Sequence, residues 1–163
     1  MTEQAKKISD SRVTLNVVMG PQDTNGLGNV HGGVIMKLVD EAAGFVALRH
    51  SRRPSVTVAI DSMTFMQPIH VGMLVTFNAE LTYVGRTSME VRVEVITENP
   101  LEGTSRLSNT AYLVFVALGD DGRPTEVPSL VYETDEQRRR ADAAVERQEF
   151  RKKQRQQEAE HGG

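Results

Sequence analysis

The sequence predicts a single α+β domain in which a curved, mainly antiparallel sheet wraps one long central helix. Three observations predict it: one segment is apolar nearly all round, several segments alternate apolar and polar residues, and short turn motifs separate them. A length of 163 residues suits one domain with a tail. We expect a flexible N-terminus over residues 1–12, the packed domain over 13–132 and a charged helical tail over 133–163.

The central helix is predicted over residues 32–50, GGVIMKLVDEAAGFVALRH, which make about five turns. Phe45 falls on one side of this helix and Ile35 on another, so apolar side chains cover most of its circumference. A helix with this pattern is buried rather than laid on a surface. Pro54 closes the region because proline cannot continue a helix.

The segments around the helix alternate with period two, which is typical of strands with one buried face. The predicted strands are Val13–Met19, Ser55–Phe65, Met73–Val84, Met89–Val95 and Ser105–Leu118. Turn residues between the later strands predict hairpins, and therefore an antiparallel sheet. Because a single sheet has open edges that invite pairing with another subunit, we expect an obligate oligomer.

The last 31 residues predict a solvated helix that frays towards its end, since 16 of them are charged and none is proline. Its charges are mixed in sign, which favours a soluble face over a nucleic-acid patch. The whole chain carries a net charge of −3, so we expect neither nucleic acid nor a membrane as partner. The sequence shows no secretory segment and no membrane span, which predicts a cytoplasmic location.

Asp40 is the first candidate for chemistry because it lies in the middle of the apolar helix. Gly44, one turn further on, is expected to leave space beside it. A buried carboxylate loses hydration and needs a partner or a task. The alternative is an ion pair with Lys37, although Glu41 has the better spacing for that pair.

The loop before the helix, QDTNGLGNVHGG over residues 22–33, is the second candidate. Its glycines allow close backbone approach, and free N–H groups at a helix start can hold an oxyanion or a carbonyl oxygen. Asn25 offers an amide that donates and cannot ionise. His31, before the pair Gly32 and Gly33, could orient a carbonyl, act as a base or simply cap the helix. An ordinary glycine-rich turn is the alternative for the whole loop.

A third candidate is the turn Gly85, Arg86, Thr87 and Ser88 between two strands, which combines a cation, two hydroxyls and a flexible backbone. These groups suit a phosphate or a pantetheine amide, but the spacing alone favours an ordinary exposed hairpin turn.

Other chemistries lack support in the sequence. There is no cysteine, which excludes disulfides, thiolate nucleophiles and Cys-ligated metal. The remaining histidines, His50, His70 and His161, have no metal-ligand spacing, so no metal site is expected. No G-x-S-x-G elbow and no phosphate-binding glycine motif occurs.

Several motifs carry a family resemblance. They are DTN at 23–25, GNVHGG at 28–33, KLVDEAAG at 37–44, VTVAIDSMTFMQPIHVGM at 56–73 and VGRTSMEVRVEV at 84–95. These stretches resemble the hotdog-fold acyl-CoA thioesterases of the acyl-CoA hydrolase family, and the likeness covers roughly residues 13–155. The resemblance implies a hotdog fold, homodimers with a continuous sheet, and a trimer of such dimers, which is a hexamer.

The resemblance also implies hydrolysis of fatty acyl-CoA to free fatty acid and CoA, with no cofactor beyond the CoA of the substrate. Asp40 would be the general base or the nucleophile, and Asn25 of another hotdog unit would position water or the carbonyl. Backbone N–H groups of His31, Gly32 and Gly33 would hold the oxyanion. The turn from Gly85 to Ser88 would hold the CoA end.

Two other functions stay open at this point. A hotdog hydratase acting on enoyl-thioesters would need an aspartate–histidine pair in a hydratase-type loop, and that motif is not seen. A non-catalytic acyl-CoA-binding sensor would bind CoA esters without releasing thiol.

Overall fold

The computed structural model describes residues 4–162 and confirms the α+β hotdog architecture. The elements, in chain order, are β1 Lys6–Lys7, β2 Val13–Val18, α1 Gly32–Ser51, β3 Ser55–Ile60, β4 Leu74–Val84, β5 Ser88–Asn99, β6 Thr104–Ala117, β7 Leu130–Val131 and α2 Asp135–His161. Short 3₁₀ helices lie at Ile8–Asp10 and Pro21–Asp23.

The main sheet has the strand order β2-β4-β5-β6-β3, and every neighbouring pair is antiparallel. Two tight connections join β4 to β5 and β5 to β6, as the turn residues predicted. Gly103 in the second connection has φ 68, a left-handed conformation that glycine adopts without a steric penalty. The sheet therefore has β2 and β3 at its two open edges.

The core lies between α1 and the concave face of this sheet. Its fully buried members include Val39 on the helix and Phe77, Val91 and Leu113 on three successive strands. Burying a side chain of this size stabilises the fold by about 1.5–3 kcal/mol relative to exposure. Among residues 4–162, no helix is long and apolar enough to cross a lipid bilayer.

The opposite side of α1 is uncovered within one chain, although the sequence pattern predicted burial all round. Phe45 and Leu48 are 53% and 42% exposed there. The edge strand β3 departs from its predicted alternation too. Its apolar residues Val56 and Val58 are exposed, and Thr57, also exposed, bonds Asp40 of the helix and pairs in register with Phe115. A one-chain sheet covers only one side of a helix, so an apolar surface remains along α1 and β3.

Three predicted boundaries differ clearly from the structure, and the first is the end of β5, which lies at Asn99 rather than Val95. The third strand ends at Ile60 rather than Phe65, because a bulge between Thr57 and Ala59 breaks its register and Asp61 turns towards α2. The N-terminus, expected to be frayed over residues 1–12, is ordered over 6–10. There β1 pairs in parallel with β7 and Ile8 is buried, so an apolar side chain fixes this segment; residues 1–3 lie outside the described range.

The charged helix α2 is present, but it is docked rather than fully solvated. Thr134 caps its start by accepting a hydrogen bond from the Gln137 N–H at 3.1 Å. Arg140 bonds Glu80 of β4, at 2.8 Å, so the helix lies on the outer face of the sheet. The outer face carries carboxylates that pair with one stripe of the helix, which the mixed charge pattern did not indicate.

Candidate active site

Asp40 is half-buried in the middle of α1, and Thr57 of β3 donates its hydroxyl to Asp40 Oδ1 at 2.8 Å. The helix supplies the carboxylate and the edge strand supplies its orienting donor. No hydrogen bond reaches Asp40 Oδ2 from residues 4–162. One carboxylate oxygen is thus fixed and the other is free to accept a proton or attack a substrate.

Gly44, which the spacing predicted to leave space beside Asp40, borders the strand β6. A methyl group at this position would lie 3.7 Å from the Phe115 ring of β6, which is an ordinary packing contact. Gly44 therefore faces the sheet. Glu41 forms the surface pair with Lys37 at 3.8 Å, so Asp40 is left without that cation.

Asn25 lies in a loop whose own hydrogen bonds hold its side chain. Its Oδ1 accepts from the Leu27 N–H at 2.9 Å and the Asn29 N–H at 3.3 Å. This leaves the Nδ2 group as the outward donor. Gly28, with φ 80, allows the tight return of the loop. Within residues 4–162 no hydrogen bond joins Asn25 to Asp40.

The start of α1 presents backbone donors. The His31 N–H is already used, since it donates to the Asp23 carbonyl at 2.7 Å, so His31 does not supply an oxyanion donor through its backbone. Its exposed side chain makes no capping hydrogen bond. For Gly32 and Gly33, no acceptor is found among residues 4–162. These two N–H groups at the positive end of a 20-residue helix can bind an oxyanion.

The turn from Gly85 to Ser88 is a well-ordered hairpin between β4 and β5. The Gly85 N–H donates to the Ser88 carbonyl at 2.9 Å, and the Thr87 carbonyl accepts from the Ala117 N–H at 3.1 Å. Arg86 extends into solvent and makes only a long pair with Glu126 at 3.9 Å. Its guanidinium is thus available to a phosphate, while the backbone polar groups are largely used by the fold.

Ser88 borders a groove of about 620 Å³ between the outer face of β3 and β6 and the second half of α2. The floor is apolar, with Val114 and Val116, and the helix side carries Arg147, Arg151 and Arg155. Carboxylates pair with Arg147 and Arg151, while among residues 4–162 no carboxylate pairs with Arg155.

Among residues 4–162 no cluster of three or more histidine, aspartate or glutamate side chains could hold a metal ion. His50 is buried, with Nε2 bonded to the Pro128 carbonyl at 2.7 Å, which is a packing role in the core.

Sequence reasoning missed Thr57 and a buried ionic cluster under α2. Glu90 of β5, only 4% exposed, binds Arg147 and Arg151 at 2.7 Å each. Arg151 also binds Asp61, directly after β3, at 2.7 Å. Burial by itself lowers the pKa of the Arg151 guanidinium, but its hydrogen bonds to both carboxylates outweigh burial and raise the pKa above its usual value.

Comparison with known proteins identifies the family. The model of the thioesterase superfamily matches residues 27–104. An uncharacterized acyl-CoA thioester hydrolase of Bacillus subtilis is 38% identical over 93% of this chain and 88% of its own length. A cytosolic acyl coenzyme A thioester hydrolase of Rattus norvegicus is 34% identical over 86% of this chain, but the match covers 37% of that longer protein. The chain belongs to the acyl-CoA thioester hydrolases of the thioesterase superfamily, and it is an enzyme.

Solved structures agree with this assignment. An acyl-CoA hydrolase of Staphylococcus aureus, determined with butyryl coenzyme A, coenzyme A and coenzyme A disulfide, has a TM-score of 0.88 at 34% identity over 96% of both chains. A hexameric acyl-CoA thioesterase has a TM-score of 0.88 at 36% identity over 93% of this chain and 97% of its own. The Staphylococcus aureus hydrolase was also solved as alanine variants of one asparagine, one aspartate and one threonine.

Proposed function

We propose that this enzyme hydrolyses fatty acyl-CoA to a free fatty acid and CoA, with Asp40 as the residue that acts on water or on the thioester. The observation that carries the proposal is the 2.8 Å hydrogen bond from Thr57 Oγ1 on the edge strand to Asp40 Oδ1 in the middle of α1. A carboxylate with one oxygen held and one free is oriented for proton transfer or attack.

The oxyanion would be held by the Gly32 and Gly33 N–H groups. Among residues 4–162 neither N–H group has an acceptor, and both lie at the start of α1. The helix dipole favours negative charge at that end. One such donor contributes about 3–4 kcal/mol to transition-state stabilisation in well-measured cases. Asp40 lies two turns further along the same helix, so the acid and the donors share one rigid element.

Asn25 would complete the site from a second protomer. Its Oδ1 is used by its own loop, so the amide Nδ2 can donate to water or to the thioester carbonyl. The altered asparagine, aspartate and threonine of the Staphylococcus aureus hydrolase support this set. In that protein they are separated by fifteen and then seventeen positions, as are Asn25, Asp40 and Thr57 here.

The open edge of β3 and the uncovered side of α1 support a homodimer. Phe45 and Val58 are 53% exposed each, and a second copy would cover both. The acyl chain would then lie along α1 between protomers. We propose a trimer of such dimers, supported by the hexameric relative.

The CoA end would lie at the turn from Gly85 to Ser88, where the exposed Arg86, paired with Glu126 only at 3.9 Å, could meet a phosphate. We propose no cofactor, no nucleic acid and no membrane as partners. The cytosolic relative supports a cytoplasmic location.

Thiol release on a panel of acyl-CoA esters tests the proposal. The enzyme should release free CoA, and Asp40→Ala and Asn25→Ala should lower turnover by at least a hundredfold while the oligomer stays folded. A sensor would bind the esters without releasing thiol. Wild-type turnover by folded Asp40→Ala would contradict the assignment of the carboxylate.

A further inference from the structure

The second half of α2 holds the end of β3 through one guanidinium. Arg151 donates from Nε to Asp61 Oδ1 at 2.7 Å and from Nη2 to Asp61 Oδ2 at 2.8 Å. The same Nη2 donates to Glu90 Oε2 at 2.7 Å. A bidentate, charge-assisted pair of this kind fixes direction as well as distance, and Glu90 ties it to the middle of the sheet.

Within residues 4–162 the strand β3 is supported by a neighbouring strand on one side. In one chain it is an edge strand that pairs with β6, and its register shifts between Thr57 and Ala59. A bulge bends a strand and re-aims its side chains. After the bulge, Asp61 is held by its backbone N–H to the Tyr112 carbonyl at 3.0 Å and by Arg151.

This strand carries the donor that orients Asp40. Thr57 lies four positions before Asp61 along the chain and directly before the bulge. A displacement of β3 by about 1 Å would lengthen the 2.8 Å bond between Thr57 Oγ1 and Asp40 Oδ1 beyond hydrogen-bond range. Shifts of that size at a catalytic group can lower rates by about a hundredfold.

We infer that Arg151 is a positioning residue for thioester hydrolysis: from the outer face of the sheet it holds Asp61 and thereby sets the Thr57–Asp40 hydrogen bond. The inference rests on the proposed function, since it requires Asp40 to act on the substrate. It gives the charged C-terminal helix a role in the reaction, beyond covering the sheet.

The same helix offers a matched control. Arg140, nearer its start, binds Glu80 of β4 at 2.8 Å and Glu136 at 2.6 Å, so it too bonds two carboxylates. Glu80 lies on β4, away from β3. Arg140→Ala therefore weakens helix docking without releasing the strand that carries Thr57.

The test compares kcat and KM for thiol release from one acyl-CoA ester, with the assembly checked by size and by thermal unfolding. Arg151→Ala is expected to lower kcat about tenfold with KM changed less than twofold. Arg151→Lys, which keeps the charge and loses the bidentate contact, should also lower kcat. If Arg151→Ala does not assemble, the kcat of Arg151→Lys tests the inference instead. Arg140→Ala should keep kcat within twofold of wild type.

Making Arg151→Ala in the Thr57→Val variant shows whether the loss of kcat depends on Thr57. Thr57→Val should lower kcat by itself, and adding Arg151→Ala to it should cost less than a further twofold. Three results would overturn the inference: unchanged kcat in folded Arg151 variants, an equal loss in Arg140→Ala, or a full additional loss in the Thr57→Val background. The panel includes Asp40→Asn. Wild-type turnover by Asp40→Asn would overturn the proposed function. If Asp40→Asn loses turnover while Arg151→Ala stays fully active, only this inference is overturned.

Discussion

Replacing Glu90 by glutamine perturbs the buried carboxylate that joins α2 to the sheet. Glu90 is 4% exposed and accepts hydrogen bonds at 2.7 Å from Thr82 Oγ1 and from the guanidinium groups of Arg147 and Arg151. Glutamine keeps the shape, but it removes the negative charge and places an amide beside two cations. Glu90→Gln should therefore destabilise the docked helix.

The expected size follows from the geometry of the cluster. Breaking a buried ion pair from one side costs about 3–5 kcal/mol because a charge stays buried without its partner. Arg151 keeps Asp61, and the Arg147 side chain is 24% exposed, so water can reach it. We therefore expect the lower end, about 3 kcal/mol. For a chain of this length that corresponds to a fall in Tm of about 6–12 °C.

Thermal unfolding followed by circular dichroism at equal protein concentration measures this effect. The matched control is Glu136→Gln, which removes the carboxylate of an exposed pair with Arg140 at 2.6 Å. Exposed pairs contribute less than about 1 kcal/mol, so the control should change Tm little. If both variants lose the same amount, the buried cluster does not carry the docking energy.

Two further predictions concern the same region. Thr134→Ala removes the hydroxyl that accepts the Gln137 N–H, which should cost about 1 kcal/mol of stability and lower Tm by a few degrees. Thr134→Ser keeps a hydroxyl and should restore Tm. An alanine variant with wild-type Tm would refute the cap. Burial raises the pKa of the Tyr132 phenol, so its contribution to stability is present below pH 10 and is lost as pH rises beyond that value. The free energy of unfolding, measured with urea, should therefore fall less steeply between pH 10 and 11.5 for Tyr132→Phe than for the wild type. Parallel pH profiles of the two proteins would contradict this.

The helix α1 shows what the sequence could and could not predict. Its apolar circumference correctly predicted a central helix over nearly the observed bounds, yet Phe45 and Leu48 are exposed in one chain. Side-chain pattern indicates that a residue avoids water, but not which surface covers it. The period-two segments likewise predicted the sheet, whereas the order of its strands depends on pairings between distant residues.

The sequence indicates the candidate site only in part, for a related reason. Asp40 could be singled out because a carboxylate among apolar helix residues is unusual. Thr57 could not be singled out, because threonine is common in strands and the bulge that follows it has no recognisable sequence signature. The pairs of Arg151 with Asp61 and Glu90 join residues far apart in the chain, so the charged tail gave the appearance of a solvated helix.

The central claim is that Asn25 and Asp40 from two protomers form one site, and mixing inactive variants tests it most directly. Asp40→Ala and Asn25→Ala protomers are co-expressed with different tags, and thiol release is measured on the mixture and on each variant alone. Random pairing would make half the dimers mixed, each with one intact site, so about a quarter of wild-type turnover should return. If the mixed dimers form and turnover stays at the level of the separate variants, the shared site is contradicted.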